Sequence, residues 1–301
     1  MNKLNITYHP DYDIPVPPKH RFVGTKFSDL FSYLKGQKFF SKCNVNKPQS
    51  APKERLLRAH SLSYVDKIYK NKLSDGELKK INLPWSERLS IRSFLAVEGT
   101  YQAAKLSLEY GIACHVGGGT HHAHYDYGFG FCVFNDLAYT AINLIEEDYV
   151  KKVLILDLDV HQGDGTIDIC QNYSSIYTCS IHSESNFPFQ KKQGSLDIPL
   201  DKETEDHNYH KILSQTLVRL TSLIQPDIVL YDAGVDVYVR DSLGNLSLTM
   251  EGIIKRDQMV LEHFLDKKIP ITTVIGGGYS EDRKELASRH CIIFDTAANY
   301  F

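Results

Sequence analysis

Two short acidic segments each follow an apolar run that is typical of a buried β-strand. The first is Asp157-Leu-Asp159-Val-His161 and the second is Gly234-Val-Asp236. Carboxylate oxygens and imidazole nitrogens suit Zn²⁺, and a catalytic zinc typically keeps three protein ligands beside one open position. Asp159 and His161 point to the same side of an extended chain, and Asp236 must reach them from another strand end. The spacing therefore predicts a catalytic zinc site on Asp159, His161 and Asp236.

A pair of adjacent histidines could act beside this site. His121 and His122 follow a glycine triplet at positions 117–119. A histidine pair is more often a surface or core feature, but Asp157 and Asp164 lie near the metal segment without being obvious ligands. Each could accept a hydrogen bond from one imidazole, which fixes the tautomer and raises the basicity of the ring. The sequence thus predicts a general base and a general acid.

A second glycine triplet, at positions 276–278, directly precedes Tyr279. Neither triplet matches GxGxxG or the P-loop pattern, so no phosphate site is predicted. Glycine instead lets the backbone turn sharply and approach a ligand, which would carry the histidine pair and Tyr279 inward. At a strand end the Tyr279 phenol could donate a hydrogen bond to an oxyanion.

Apolar, β-rich runs recur along the chain and alternate with helix-like segments. The predicted strands are Leu4–Tyr8, Ile112–Val116, Val153–Asp157, Ile176–Ile181, Ile228–Asp232, Ile271–Ile275 and Cys291–Phe294. The predicted helices are Ser28–Leu34, Ser86–Tyr110, Asn135–Glu147, His207–Ile224 and Thr249–Asp266. Continuous rather than alternating apolar runs indicate strands covered on both faces. The order predicts an α/β fold, a single-domain, mostly parallel doubly wound sheet flanked by helices, with reactive residues at the carboxyl ends of strands.

Composition limits the other classes of function. The chain has 301 residues, 42% of them hydrophobic, and no repeat or linker divides it, so we expect one domain over 1–301. A formal net charge of −3 without a basic stripe argues against direct nucleic-acid binding. The lysine pairs at positions 79–80, 151–152 and 191–192 are interpreted as solvated charges without function.

Location is predicted from what the sequence lacks. No apolar run reaches the roughly 18 residues of a membrane span, and the segment from Met1 to His9 has no signal-peptide core. The six cysteines form no CxxC pair and are expected to be reduced thiols. We therefore expect an intracellular protein, cytoplasmic by default.

In combination, these motifs resemble those of the zinc-dependent histone deacetylases of the arginase/deacetylase superfamily, from about Ile112 to Phe294. The motifs are Gly117-Gly-Gly-Thr-His-His122, Gly130-Phe-Cys-Val-Phe-Asn-Asp136, Leu156-Asp-Leu-Asp-Val-His-Gln-Gly-Asp-Gly165, Ala233-Gly-Val-Asp236 and Gly276-Gly-Gly-Tyr279. The details most similar to class IV members are His161-Gln162, Asp241-Ser-Leu-Gly-Asn-Leu-Ser247 and Gly252-Ile-Ile-Lys-Arg-Asp257.

Carried over residue by residue, the resemblance implies the same zinc ligands and the same acid/base pair. It implies further that Asp157 orients His121, that Asp164 orients His122, and that Tyr279 polarises an amide carbonyl. The implied reaction removes acyl groups from lysine side chains of a protein or peptide by metal-activated water. Acetyl is the expected acyl group, and the class IV relatives extend this expectation to long fatty acyl chains.

The resemblance also implies a narrow tunnel and a second ion. Phe131 and Phe187 would flank the acyl-lysine stem, with Gly130 beside it. Aromatic walls would bury the methylenes of a neutral acyl-lysine side chain. A potassium ion is implied near the zinc segment, with ligands from Asp157, Ser180, Ile181 and the backbone of Asp159 and His161.

Three other functions would share parts of this set of residues. A ureohydrolase would need a two-metal manganese site, for which Ala233-Gly-Val-Asp236 offers too few carboxylates. A deacetylase of small amides such as acetylpolyamines would keep the same catalytic set and differ in an acidic or constricted tunnel rim, to which Glu184 could contribute. An inactive acyl-lysine-binding or scaffold module is the alternative of another class, and the intact set of reactive residues argues against it.

Overall fold

The computed structural model describes residues 3–301, which form an eight-stranded sheet in which every paired strand is parallel. Strands β1–β8 in chain order are Leu4–Thr7, Cys43–Asn46, Ile112–His115, Val153–Asp157, Ile176–Ser183, Leu196–Leu200, Ile228–Asp232 and Ile271–Val274. Across the sheet their order is β2-β1-β3-β8-β7-β4-β5-β6. Met1 and Asn2, the start of the segment judged to lack a signal peptide, lie outside the described residues.

Helices connect the strands. Within residues 3–301, α1–α10 in chain order are Lys26–Lys35, Lys53–Ala59, Leu62–Tyr69, Asp75–Ile81, Glu87–Tyr110, Asp136–Glu146, Asp164–Cys170, Asp206–Leu223, Met250–Leu265 and Arg283–Ala298. Short 3-10 helices span Pro10–Tyr12 and Lys38–Lys42. Ser86 caps α5 by accepting a hydrogen bond from the Leu89 amide at 3.0 Å, and Thr249 caps α9 by accepting one from the Gly252 amide at 2.9 Å. Such caps satisfy amides that have no partner within the helix.

Two groups of helices cover the sheet and bury its centre. In the first group, α5 packs on α6 and on the strands β1, β3 and β8. In the second group, α8 packs on α9, α9 packs on α10, and α10 packs on α1. Every residue of β3, β4, β7 and β8 is buried. These strands are continuously apolar because helices cover both faces of the sheet and neither face meets water.

The parallel arrangement determines where the reactive segments lie. The strands β3, β8, β7 and β4 are consecutive neighbours in the sheet. Parallel strands end at one edge, so the segments 116–122, 275–279, 233–236 and 158–164 that follow them lie side by side. This edge is where open α/β sheets bind ligands.

The predicted doubly wound sheet is confirmed, with two corrections. Cys291–Phe294, predicted as a strand, belongs to α10, where all four residues are buried because this helix packs against both α1 and α9. A short apolar run cannot by itself be distinguished from a buried helical segment. β2 and β6 were not predicted, because both are short and partly exposed, and neither has a continuous apolar run. Among residues 3–301, no helix combines the length and the apolar character needed to cross a membrane.

Candidate active site

The candidate metal site consists of Asp159, His161 and Asp236, and all three are buried. Their potential ligand atoms lie within 4.8 Å of one another. His161 Nδ1 lies 3.0 Å from Asp159 Oδ1 and 3.1 Å from Asp236 Oδ2. β4 and β7 are neighbours, so the loops that follow them bring the three side chains together. The predicted trio is therefore assembled in space.

Each carboxylate of this trio is anchored by a backbone amide. The Gly277 amide donates to Asp159 Oδ2 at 2.7 Å, and the Val160 amide donates to Asp236 Oδ1 at 2.9 Å. Gly277 must be glycine here, because a β-carbon would collide with the Asp236 carboxylate. The second oxygen of each carboxylate is thereby left facing His161 Nδ1.

The charge of the trio favours a cation. Burial opposes protonation of His161, but hydrogen bonds with Asp159 and Asp236 raise its pKa to about 10. Two carboxylates and one imidazole thus attract positive charge into a buried site. Oxygen and nitrogen ligands in this number fit a borderline divalent cation such as Zn²⁺.

His121 and His122 each bind one aspartate. His121 Nδ1 lies 2.8 Å from Asp157 Oδ2, and His122 Nδ1 lies 2.6 Å from Asp164 Oδ1. Ionised carboxylates only accept hydrogen bonds, so both Nδ1 atoms carry protons. The two Nε2 atoms lie 3.2 Å apart. The predicted pairing of each histidine with its aspartate is present, and the two Nε2 atoms face each other.

The two imidazoles differ in charge. Burial disfavours the charged form of both rings. For His121 the charges of Asp157 and Asp159 outweigh burial and raise its pKa well above the usual value. For His122, burial and the nearby charge on His121 lower the pKa to about 4. His121 is therefore the charged ring of the pair and His122 the neutral ring.

Tyr279 is held by its backbone rather than by its phenol. Its amide donates to Asp241 Oδ2 at 2.7 Å, and Arg289 Nη2 donates to its carbonyl oxygen at 3.1 Å. Asp241 and Arg289 form a buried ion pair at 2.9 Å. Burial, aided by the charge of Asp236, raises the pKa of Tyr279 well above its usual value. The phenol therefore stays protonated and can donate a hydrogen bond.

A cavity of about 710 Å³ leads to these groups. Its lining includes three reactive residues, His122, His161 and Tyr279. Its aromatic and glycine wall consists of Phe129, Gly130, Phe131, Phe187 and Phe189. The Phe187 ring centroid lies 4.9 Å from that of His122, and the Phe131 ring centroid lies 5.9 Å from that of Tyr279. A β-carbon at Gly130 would lie 2.8 Å from His122 Cδ2, so a larger residue at this position would press against the His122 ring.

The charged lining of this cavity is basic. Arg21, Lys79 and Lys80 contribute to it, and no carboxylate does among the lining residues that the structure describes. Glu184, considered above for an acidic rim, is not in the lining. The pair Lys79-Lys80, interpreted as functionless solvated charge, thus lies at the mouth of the cavity.

The residues predicted for potassium lie on two neighbouring strands, β4 and β5. Asp157 of β4 pairs in register with Ser180 of β5, and Ile181 follows it. Asp157 Oδ1 accepts the Asp159 amide at 3.1 Å, and Ser180 Oγ lies 3.0 Å from His182 Nδ1. The structure therefore brings these residues together.

Three residues near the site were not given roles from sequence. His124 Nε2 lies 3.2 Å from Asp164 Oδ2, and His124 Nδ1 lies 2.9 Å from Asp168 Oδ2. Asp168 comes one helical turn after Asp164 in α7, so both carboxylates lie on one face of that helix. This spacing of four was the one signal in the sequence that the two aspartates could share a partner. Asp232 is buried with both carboxylate oxygens unpaired among the described residues, and its Oδ2 lies 3.8 Å from His121 Nδ1.

Solved structures share this fold. A structure of an HDAC homolog complexed with SAHA matches with a TM-score of 0.82 and 24% identity, over 98% of this chain and 84% of that chain. A structure of an HDAC homolog from Aquifex aeolicus matches with a TM-score of 0.80 and 22% identity, over 98% and 84% of the two chains. The fold is thus the arginase/deacetylase fold.

Sequence comparison assigns the family. The histone deacetylase domain model matches residues 20–293, and the chain belongs to this family of hydrolytic deacetylases. The chain is 40% identical to an uncharacterised protein of Picosynechococcus sp., over 98% of this chain and 99% of that protein. It is 28% identical to histone deacetylase 2 of Arabidopsis thaliana, over 93% and 75% of the two chains. It is 29% identical to the acetoin utilization protein AcuC of Staphylococcus aureus, over 87% and 73%.

Proposed function

We propose that this protein is a zinc-dependent amidohydrolase that removes acyl groups from lysine side chains of proteins or peptides. The observation that carries the proposal is the convergence of His122, His161 and Tyr279 in one aromatic-walled cavity. A metal ligand, a neutral base and a phenol donor meet there in the way that amide hydrolysis requires.

Zinc held by Asp159, His161 and Asp236 would polarise the amide carbonyl and activate water. The chain's own residues supply the proton chemistry. His122 is neutral and lines the cavity, so it can accept a proton at Nε2 and return it to the leaving amine. His121, kept charged by the carboxylates around it, provides a positive charge and a donor beside that base.

Tyr279 and the aromatic wall complete the proposed site. The Tyr279 phenol would donate to the carbonyl oxygen as negative charge develops on it. The Asp241–Arg289 pair holds the Tyr279 backbone in place, so the phenol needs little ordering during the reaction. Phe131 and Phe187 would pack on the methylenes of the lysine stem, with Gly130 leaving room beside them.

The basic lining favours a peptide substrate over a small acetylated polyamine. Polyamines carry several positive charges, and Arg21, Lys79 and Lys80 would repel them at the mouth. An acyl-lysine in a polypeptide brings no such obligatory charge. Acetyl is the proposed acyl group, and a long fatty acyl chain, suggested by the class IV-like motifs, belongs to the same proposal.

The remaining parts of the proposal concern a second ion and the setting of the enzyme. Potassium would bind at Asp157, Ser180 and Ile181. Asp157 is also the aspartate that contacts His121. Residues 1–301 would act as one catalytic domain. All six cysteines are free thiols, which is typical of a reducing compartment and supports an intracellular, cytoplasmic location.

Hydrolysis of matched peptides tests the proposed function. The zinc-loaded protein is given peptides with acetyl-lysine or myristoyl-lysine, and separately N-acetylputrescine, each with and without a chelator. We expect chelator-sensitive turnover of at least one peptide and little turnover of the small amine. Preferred turnover of N-acetylputrescine would reassign the substrate class, and peptide binding without turnover would replace the enzyme by a binding module.

A further inference from the structure

Three cations at the cavity mouth lack acidic partners in the lining. Arg21, Lys79 and Lys80 all line the cavity, whose described lining contains no carboxylate. Glu77, the acid one turn earlier in α4, is occupied by an ion pair with Lys67 at 2.7 Å. The positive charge of the mouth is therefore not neutralised within its own lining.

The backbone places Lys79 and Lys80 next to the aromatic wall of the cavity. The Lys80 carbonyl accepts the Gly130 amide at 3.2 Å, and the Ile81 carbonyl accepts the Phe131 amide at 2.8 Å. Lys80 Nζ also lies 4.9 Å from the centre of the Tyr127 ring. The end of α4 is thus fixed to the segment that forms the wall, and its lysines cannot move away from the mouth as a free loop could.

We propose that this mouth selects acyl-lysine within acidic polypeptide segments, with Asp or Glu close to the modified lysine. This inference rests on the proposed function, because a lysine side chain in the tunnel leaves its neighbouring residues over the mouth. Opposite charges there steer encounter and stabilise the bound peptide, and the effect weakens as salt rises.

Three peptides that differ only in the residues flanking acetyl-lysine, as Glu, Gln or Lys, test this selection. At low salt we expect kcat/KM to fall in the order Glu, Gln, Lys, by roughly tenfold from first to last, and the spread to shrink at high salt. The double variant Lys79→Gln/Lys80→Gln should lose most of the spread, because Arg21 is then the one cation of the three that remains at the mouth. Lys151→Gln/Lys152→Gln, before β4 and at the opposite edge of the sheet, is the matched control and should retain it.

The Gln peptide separates the two levels of the proposal. No turnover by the wild-type protein of any of these peptides or of the myristoyl-lysine peptide would overturn the proposed function. Turnover of the Gln peptide with an equal or reversed ranking of the charged peptides would overturn only the acidic preference. Binding to anionic phospholipid vesicles that depends on Lys79 and Lys80, with no peptide ranking, would likewise overturn it and assign the cations to a membrane surface.

A separate, buried set of groups supports a second inference. His124 is nearly inaccessible, and its two ring nitrogens lie 3.2 Å from Asp164 Oδ2 and 2.9 Å from Asp168 Oδ2. Burial alone would raise the pKa of Asp168, yet Lys192 at 2.7 Å and His124 lower it. Burial opposes protonation of His124, but its hydrogen bonds with Asp164 and Asp168 raise its pKa. Because ionised carboxylates only accept hydrogen bonds, this geometry favours a ring with protons on both nitrogens.

The charged and titratable groups around His124 are few. Asp164 and Asp168 face it from α7, with Lys192 on the far side of Asp168. The Tyr127 ring stacks on it with centroids 4.4 Å apart. The neutral His60 ring contacts the His124 carbonyl oxygen at 3.0 Å. The ring is therefore clamped between two carboxylates with no competing positive charge in direct contact.

We infer that His124 is a positioning residue for His122. It occupies the Asp164 oxygen that His122 does not use, and so keeps Asp164 fixed while its other oxygen orients the His122 ring at 2.6 Å. Loss of this cation frees Asp164 to turn. The tautomer and direction of His122 would then no longer be determined.

Variants at His124 test this role in the zinc-loaded protein with the Gln peptide. His124→Gln should lower kcat about 10–100-fold with KM nearly unchanged, and His124→Lys, which restores a cation, should recover part of kcat. His263→Gln in α9 is the control and should match wild type. Nitrogen NMR of the wild-type protein should show both ring nitrogens of His124 protonated at neutral pH, and Asp168→Asn should lower the pH at which they titrate.

The outcomes are distinguishable. An inactive wild-type protein would overturn the proposed function. An active wild type with an equally active, folded His124→Gln variant would overturn the positioning role alone. A neutral His124 by NMR would overturn it as well, including where the His124 variants fail to fold.

Discussion

The Nε2 atoms of His121 and His122 lie 3.2 Å apart, while their Nδ1 atoms bind different aspartates. Two adjacent residues of one type are thereby placed in opposite electrostatic settings. His121 faces Asp157 with further carboxylates nearby, and its pKa is raised; His122, buried beside that charge, has its pKa lowered to about 4. The neutral ring lines the cavity and the charged ring lies behind it.

Replacement of His122 by Ala should remove most activity. We expect kcat to fall about 10²–10⁴-fold, since the proposed general base is lost. Zinc content, measured by atomic emission, should stay unchanged because His122 is not one of the three proposed metal ligands. Activity near that of wild type would contradict the assignment of His122 as base.

The neutral state of His122 also predicts a pH profile. Because its pKa is lowered to about 4, the base should remain unprotonated down to about pH 4, and kcat/KM should lose activity from this group only below that pH. An ordinary imidazole would lose it below about pH 6.5. The measurement is kcat/KM from pH 4 to pH 8 on zinc-loaded protein, with metal content verified at each pH. An acid limb near pH 6.5 would contradict the lowered value.

The variant Tyr279→Phe should separate hydrogen-bond donation by the phenol from the structural contacts of the residue. Only the phenol oxygen is removed, and the backbone contacts with Asp241 and Arg289 remain. We expect kcat to fall about 10²–10³-fold with an unchanged melting temperature. Tyr300→Phe, on the exposed C-terminal segment, is the control for a lost phenol. Equal activity of wild type and Tyr279→Phe would remove Tyr279 from the mechanism.

Metal binding should stabilise the fold. Asp159 and Asp236 are buried near each other, so a bound cation relieves their repulsion and binds only the folded chain. At a free zinc concentration near 1,000 times Kd, the gain is about 4 kcal/mol, visible as a rise in melting temperature by calorimetry. Asp236→Asn should show a much smaller rise. A wild-type melting temperature that ignores zinc would argue against the site.

Glu147 should stabilise the protein in a pH-dependent way. It accepts hydrogen bonds from Arg55 at 2.8 Å, Arg58 at 3.0 Å and Tyr101 at 2.7 Å. Burial would raise its pKa, but these contacts outweigh burial and lower the pKa to about 2. Because the folded-state pKa lies below the unfolded one, the stabilisation is complete above about pH 4.5 and is lost as the pH falls towards 2.

Glu147→Gln tests this contribution by urea unfolding. The partial exposure of Glu147 reduces the effect, so we expect a loss of about 1–2 kcal/mol at pH 7 that narrows as the pH falls to 3. Glu146→Gln, at the exposed neighbouring position, should change the free energy of unfolding little at either pH. A pH-independent difference for Glu147→Gln would mean that packing, not charge, is involved.

Much of this fold is predictable from the sequence because the central strands are continuous apolar runs. The runs that end at Asp157 and Asp232 are buried on both faces, and the polar residues after them could only lie at the edge of a parallel sheet. The metal trio and the histidine pair followed from that rule and from ligand chemistry. The same rule gave a wrong prediction for Cys291–Phe294, because a helix that is buried between two others can be as apolar as a strand.

The groups that the sequence did not indicate are far apart in the chain and are brought together only by the fold. His124 meets Asp168 only because α7 passes beside the segment after β3, and no spacing in the chain connects the two residues. The basic cavity mouth joins Arg21 to the end of α4 in the same way. Charge at a mouth depends on which exposed side chains the fold gathers, and a charge count along the chain cannot give it.

A zinc titration tests the central claim most directly. The protein is stripped of metal, zinc is added in steps from none to two equivalents, and acetate release from an acetyl-lysine peptide is followed. With one catalytic ion on Asp159, His161 and Asp236, we predict no activity in the stripped protein and a linear rise that ends at one equivalent. Asp236→Asn should show no rise over that range. Activity without metal, or a plateau reached only at two equivalents, would contradict a single-zinc hydrolase.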